Sequence, residues 1–132
     1  MDAAQRNVDA LRTDLDAHSH VTSMRIRDVV AELVDLLGAT NVAVLGGVNE
    51  TRAVQQWIVA EREPQRQDVL RFACQLATMI VKTGDSEVAR SWFQASNPHL
   101  EDRVPLLMLR NDPLHEIQRP LMEAARAFAR RA

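Results

Sequence analysis

Apolar residues recur every three or four positions along most of the chain, and no segment alternates convincingly as a strand would. The clearest stripe runs from Ser23 to Leu37, with Ser23 as the predicted N-cap and Gly38 as the predicted stop. A second clean stripe predicts a helix over residues 65–82. The pattern therefore predicts an all-α fold.

Glycines divide the middle of the chain into shorter elements. A helix of about two turns, capped by Thr40, is predicted before Gly46-Gly47, although the run 42–45 is also the only candidate strand. The double glycine predicts a turn, because glycine adopts positive φ without steric cost. A fourth helix is predicted from residue 49 or 50 to about residue 62.

The C-terminal third reads as three further helical pieces. Asp85 or Ser86 caps a short helix that Asn97-Pro98 ends, a buried turn follows at 104–109, and Asp112-Pro113 begins the last helix. Pro120 lies inside that last helix, so a kink or break is expected near residues 116–118.

The N-terminal stretch carries a weaker pattern, formed by Ala4, Val8, Leu11 and Leu15. It predicts a helical arm of modest stability or a partly disordered tail. The expected organisation is an arm at 1–22, a first helical half at 23–83 and a second at 84–132.

Composition narrows the class of protein. The 132 residues are 46% hydrophobic and 26% charged, with a formal net charge of −2, so a strongly basic nucleic-acid coat is excluded. The N-terminus resembles no secretory signal, and no apolar run is long enough to span a bilayer. Cys74 has no partner for an intrachain disulfide. We expect a cytoplasmic protein without membrane contact.

The short helix, glycine turn and following helix form a helix-turn-helix pattern, whose second helix would enter the DNA major groove. Val54 and Trp57 lie on the apolar side of that second helix. The candidate DNA contacts on and after it are Thr51, Arg52, Gln55 and Gln56 for bases, and Arg62 and Arg66 for phosphates. An ordinary amphipathic helix would show the same split.

Local charge sets the expected affinity for DNA. From Glu50 to Arg71 four arginines stand against four acidic residues, so the segment is neutral. Since non-specific affinity grows with the number of phosphates neutralised, one copy should bind weakly. A homodimer that reads two half-sites would offset this weakness.

The residues at the end of the predicted helix-turn-helix resemble those of a known family. Val48, then Trp57 followed by Ala60, Glu61 and Pro64, resembles the end of the helix-turn-helix in Xre-type repressors. Ala60 stands where that family usually has glycine, and the double glycine makes the turn one residue longer.

The second half resembles the C-terminal domain of the Xre/MbcA/ParS-like antitoxins. The matching residues are Ala89-Arg90-Ser91-Trp92-Phe93, Asn97-Pro98-x-Leu100, Pro105-Leu106-x-x-Leu109 and the Ala124-Ala125 pair. Arg103-Val104 replaces the glycine that usually precedes the Pro-Leu pair. The resemblance covers roughly residues 25 to 130.

This resemblance implies the antitoxin of a type II toxin–antitoxin module. Its C-terminal half would block the active site of a RES-type, NAD-consuming toxin, and its first half would bind the module's own promoter. The implied toxin contacts are Trp92, Phe93, Asn97, Leu106, Leu109, Arg126, Arg130 and Arg131. Core packing for Trp92 and Phe93, and a helix-dipole role for the basic C-terminus, remain open.

Two other classes stay open beside the antitoxin. A stand-alone transcriptional regulator would use the C-terminal helices for dimerisation, and an adaptor would have lost DNA binding. No catalytic, cofactor or metal site is expected, because Gly46-Gly47 lacks the Lys-Ser/Thr of a P-loop and the histidines lack partner ligands. Cys74 lies on an apolar stripe and reads as a buried, inert thiol. The chain is therefore not expected to be an enzyme.

Overall fold

The computed structural model describes the backbone of residues 3–131 and the side chains of residues 8, 11, 12 and 14–131. The chain there forms α1 (Ala3–Thr22), α2 (Ile26–Leu37), α3 (Ala39–Leu45), α4 (Thr51–Ile58), α5 (Gln67–Val81), α6 (Ser86–Gln94), a 3₁₀ turn (Pro98–Leu100), α7 (Pro105–Asn111) and α8 (Leu114–Arg131). In this described part no strand occurs, and the only β feature is an isolated bridge between Asn97 and Arg103. The all-α prediction is confirmed.

Helix α5 is the centre of the fold. It packs against α1, α2, α3, α6 and α8. Its apolar stripe is buried as the periodicity predicts, and Leu76 and Ile80 are fully inaccessible. One continuous apolar core takes side chains from all eight helices, so the two predicted halves share it.

Polar contacts also join the two halves. Asn41 of α3 is buried; its Nδ2 donates to the carbonyl of Leu37 (2.7 Å), and its Oδ1 accepts from Nε2 of Gln94 in α6 (3.2 Å). A buried amide with donor and acceptor both used specifies how α3 and α6 meet.

Helix α1 packs against the other helices through two buried apolar residues and one ion pair. Ala17 and Val21 are buried, and the nearly buried Asp14 pairs with Arg126 of α8. Arg71 of α5 fixes the end of α1, because its Nη1 donates to the carbonyl of Val21 (3.1 Å) and to that of Met24 (2.8 Å). The helical arm is therefore part of the folded body.

Three of the four residues in the apolar pattern of α1 face away from that body, and the side chain of the fourth, Ala4, lies outside the described residues. Val8, Leu11 and Leu15, called the α1 stripe below, expose 49%, 58% and 58% of their surface. Their spacing of three and four residues places them on one helical face. Periodicity thus predicted the helix, while the residues that dock it lie on another face.

The start of α2 differs from the prediction. Its N-cap is Arg25, and Ser23 instead donates its hydroxyl to the carbonyl of His20 at the end of α1. Gly38, at φ +88°, ends α2 as predicted, and residues 42–45 are helical rather than extended.

Helix α4 ends at Ile58, four residues before the predicted end. Ala60 adopts φ +62°, the N–H of Ala60 donates to Trp57, and the N–H of Glu61 donates to Gln56. These bonds form a Schellman C-cap, in which glycine is the usual residue at the left-handed position. Ala60 therefore occupies, with some strain, a position that favours glycine.

Replacing Ala60 with glycine is expected to raise the free energy of unfolding by about 1 kcal/mol, since the left-handed conformation costs an L-residue roughly 1–2 kcal/mol. Ala53→Gly, within α4, is the matched control and should lower it by about 1 kcal/mol. Urea unfolding of both variants measures the difference. Equal destabilisation by both glycines would contradict this assignment.

Pro120 lies within α8 without ending it. The missing N–H leaves the carbonyl of Glu116 without its helical donor, but both residues are exposed, so water can bind that carbonyl. Of the kink or break expected near 116–118, the break is therefore wrong. Ile117 and Leu121, on the inner face, continue into the core on either side of the proline.

Candidate functional site

The turn between α3 and α4 is set by its two glycines for different reasons. Gly47 adopts φ +75°, as the sequence predicts, whereas Gly46 does not adopt a positive φ. A Cβ added at Gly46 would lie 2.5 Å from Cη2 of Trp57, so the indole needs a glycine beneath it. Trp57 thereby joins α4 to the end of α3.

Helix α4 presents a polar face beside this turn. Val54 and Trp57 are buried, as the pattern predicts. Thr51, Arg52 and Gln55 are exposed, and Gln56 is half-buried. Three of the four predicted base-reading residues are thus open to solvent on one short helix.

Arg66 is committed to internal hydrogen bonds. Its Nη1 donates to the carbonyls of Arg110 (3.0 Å) and Leu45 (3.4 Å), and its Nη2 donates to that of Leu109 (2.8 Å). These carbonyls lie at the C-terminal ends of α3 and α7, where helices leave carbonyls without partners. Three of the five guanidinium N–H donors are used in this way, so we revise its expected phosphate contact to a structural role.

Arg110 of α7 makes the reciprocal hydrogen bonds. Its Nη1 donates to the carbonyls of Val44 (3.1 Å) and Val48 (3.2 Å), and its Nη2 donates to Oδ1 of Asn49 (3.1 Å). The two arginines therefore hold both sides of the α3–α4 turn against the C-terminal half. Sequence reasoning missed Arg110, since its partners lie more than sixty residues away.

Arg62, by contrast, is exposed. It lines a depression of about 370 Å³ together with Arg25, Arg27, Trp57, Ala60, Glu63 and Ile26. Arg25 is the N-cap of α2 and Arg27 lies in its first turn, and neither was among the predicted contacts. The left-handed turn at Ala60 brings Arg62 to them. The depression thus adjoins α4.

Comparison of the chain with protein-family models, curated proteins and solved structures finds no match.

A groove of about 530 Å³ lies on the C-terminal half, between α6 and α8. Both helices pack on α5. The groove, called the α6–α8 groove below, is lined by Asp85, Glu87, Val88, Ser91, Trp92, Ala95, Ser96, Asn97, Pro98, His99, Ala124, Phe128 and Arg131. Its volume and mixed apolar and polar lining are typical of binding sites.

Trp92 and Phe93 have separate roles. They meet edge to face with ring centroids 5.2 Å apart. Phe93 is fully buried in the core, whereas Trp92, 7% exposed, belongs to the core and also lines the α6–α8 groove. The indole N–H of Trp92 is buried and has no acceptor among the described residues. A buried donor without a partner costs about 1–3 kcal/mol, so the packing around the indole offsets this cost.

Two predicted toxin contacts belong wholly to the core. Phe93 and Leu109 are 0% exposed, so a partner cannot reach their side chains. This corrects the expectation that they contact a toxin, and for Phe93 it supports the core-packing alternative. Leu106 is 7% exposed, as Trp92 is, but it does not line the α6–α8 groove.

The predicted basic contacts are divided among three surroundings. Arg126 faces α1 and pairs with Asp14, Arg131 lines the α6–α8 groove, and Arg130 is exposed. Asn97 also lines the groove, and its Oδ1 accepts from the N–H of His99 (2.9 Å), which forms the predicted Asx-turn. Of the predicted toxin contacts, Trp92, Asn97 and Arg131 therefore come together.

Cys74 is buried as predicted. Burial, and then the charge of Glu32, raises the pKa of its thiol from 9.0 to about 12, so the thiol stays protonated at neutral pH. Across the described residues no three metal-ligating side chains cluster. Within the same part of the chain, no helix combines the length and apolar character needed to cross a membrane.

Proposed function

We propose that this protein is the antitoxin of a type II toxin–antitoxin module. In this proposal the α6–α8 groove binds a RES-type toxin and blocks its active site, while α4 binds the module's promoter. The observation that carries the proposal is the groove itself, which brings together Trp92 and Asn97 from the antitoxin-like residues with Arg131 of the basic C-terminus.

The geometry of α3 and α4 supports the DNA-binding part. The two short helices pack together across a glycine turn, and the outer side of α4 carries Arg52 and Gln55, which suit guanine and adenine edges. The turn is held rigidly by Arg66 and Arg110. A rigid support suits base reading, because bidentate hydrogen bonds require fixed side-chain origins.

The DNA-binding part is tested with the region upstream of the gene. Fluorescence anisotropy should show that the wild-type chain prefers this duplex over a random duplex of equal length. Arg52→Ala should reduce that preference by about tenfold or more, since one bidentate contact is worth about 1–3 kcal/mol. An unchanged preference would remove α4 from base reading.

We propose further that the protein acts as a homodimer. A neutral helix-turn-helix gains affinity when two copies read two half-sites. The α1 stripe is an exposed run of large apolar side chains that a second copy would cover.

Leu11→Glu with Leu15→Glu should convert the dimer to a monomer and weaken DNA binding, because two carboxylates would be buried between copies. Light scattering measures the mass. Leu107→Glu is the control, since Leu107 is 50% exposed on α7, away from the stripe. If the double variant still has the mass of two chains, the dimer contact lies elsewhere.

A stand-alone regulator is the second candidate. The neutral α3–α5 segment and the shared core fit a regulator whose C-terminal helices only stabilise the DNA-binding helices. The two functions differ in one requirement, because only the antitoxin needs a protein partner for the α6–α8 groove.

A further inference from the structure

The described arginines differ in what their guanidinium groups contact. Those that hold the fold together have internal acceptors: Arg66, Arg71 and Arg110 donate to backbone carbonyls, and Arg103 and Arg126 pair with carboxylates. Arg25, Arg27 and Arg62 have neither a hydrogen bond nor an ion pair from their guanidinium groups to any described residue. All three are exposed.

These three arginines meet in one place. They line the depression beside Trp57 and Ala60, where the N-terminal turn of α2 faces the chain leaving α4. Glu63 is the one carboxylate in that lining, so three positive charges against one negative charge leave a local charge of +2. The segment 50–71 is neutral along the sequence, and this positive surface arises only because the fold adds Arg25 and Arg27 to it.

We infer that Arg25 and Arg27 join Arg62 in holding backbone phosphates of DNA beside α4. This inference rests on the DNA-binding part of the proposed function. Guanidinium groups hold phosphate oxygens in bidentate fashion, and such contacts fix how a protein lies on the duplex without reading its sequence. The depression adjoins the C-terminal end of α4, so phosphates held there would lie next to the bases that α4 faces. Arg25 and Arg27 would then supply charge that the neutral helix-turn-helix lacks.

The test is the salt dependence of binding to a random-sequence duplex of about two helical turns (~21 base pairs). Each phosphate contact contributes about 0.9 to the slope of log affinity against log salt concentration. The double variant Arg25→Gln with Arg27→Gln should therefore lower the slope by about 2 and weaken binding by roughly tenfold at about 100 mM KCl. Anisotropy titrations between about 50 and 200 mM KCl give both values.

The matched control removes the same charge elsewhere. Lys82→Gln with Arg119→Gln changes two basic residues, one at the C-terminal end of α5 and one in the second turn of α8, that have only exposed ion pairs. This variant should keep the wild-type slope. If both double variants lower the slope by the same amount, the effect comes from net charge and the inference is overturned.

A second comparison separates this inference from the reading of bases. Arg25→Gln with Arg27→Gln should weaken upstream and random duplexes by the same factor, whereas Arg52→Ala should lower the ratio between them. If Arg25→Gln with Arg27→Gln binds the random duplex as tightly as the wild type does, the phosphate site is overturned. Base reading by α4 would not be affected by that result. A wild-type chain that binds no duplex overturns both.

Discussion

Replacing Arg66 with methionine is expected to lower the free energy of unfolding by about 3 kcal/mol, because three backbone carbonyls lose a charged donor worth roughly 1 kcal/mol each. Methionine keeps an apolar stem beside Gly47, so the lost hydrogen bonds dominate the effect. Chemical denaturation with a two-state fit measures the change.

Arg62→Met is the control for Arg66→Met. Arg62 lies four residues away and is exposed, so its replacement should change the unfolding free energy by less than about 0.5 kcal/mol. A large loss of stability in Arg62→Met and none in Arg66→Met would contradict the structural role of Arg66. An Arg66→Met protein as stable as the wild type, but weak in DNA binding, would give Arg66 the phosphate contact that its sequence position predicts.

Ser91→Arg is expected to abolish capture of the toxin partner, with a loss of about 100-fold in affinity. Ser91 is exposed on α6 and lines the α6–α8 groove, so a long side chain there would occupy the space a partner needs. Losing a central contact typically costs about 2–4 kcal/mol, which corresponds to this change in affinity. Binding of the purified partner, measured by calorimetry, gives the value.

Gln118→Arg provides the control for Ser91→Arg. It adds the same charge to α8, but Gln118 lies beside Arg126 on the flank that faces α1, away from the groove. Its affinity for the partner should equal that of the wild type. Equal binding by both variants would show that the partner docks elsewhere on the chain.

Most of the fold could be predicted from the sequence, because helical periodicity and the conformational freedom of glycine depend only on nearby residues. The stripes of α2 and α5 predicted which side chains are buried, and Gly38 and Gly47 marked their turns. The end of α4 escaped prediction since Ala60 carries no sign of a left-handed residue. The Schellman bonds at Ala60 supply the physical reason for the earlier end.

The candidate sites were less accessible, because the partner of a long side chain depends on packing between distant elements. Arg66 and Arg62 look alike in the sequence, yet only Arg66 reaches the C-terminal end of α7. Trp92 and Phe93 are neighbours, and their helical positions send one to the groove and the other to the core. The α1 stripe shows the same limit, since periodicity identifies an apolar face without showing what covers it.

The most direct test of the antitoxin proposal is co-expression of this chain with the product of the adjacent gene, with a tag on this chain alone. We expect the neighbouring protein to stop growth by itself, growth to recover when this chain is present, and the two proteins to purify together in a fixed ratio. Ser91→Arg should remove both rescue and co-purification. A neighbour that is harmless and does not co-purify would contradict the antitoxin proposal and leave DNA binding by α4 as the function to test.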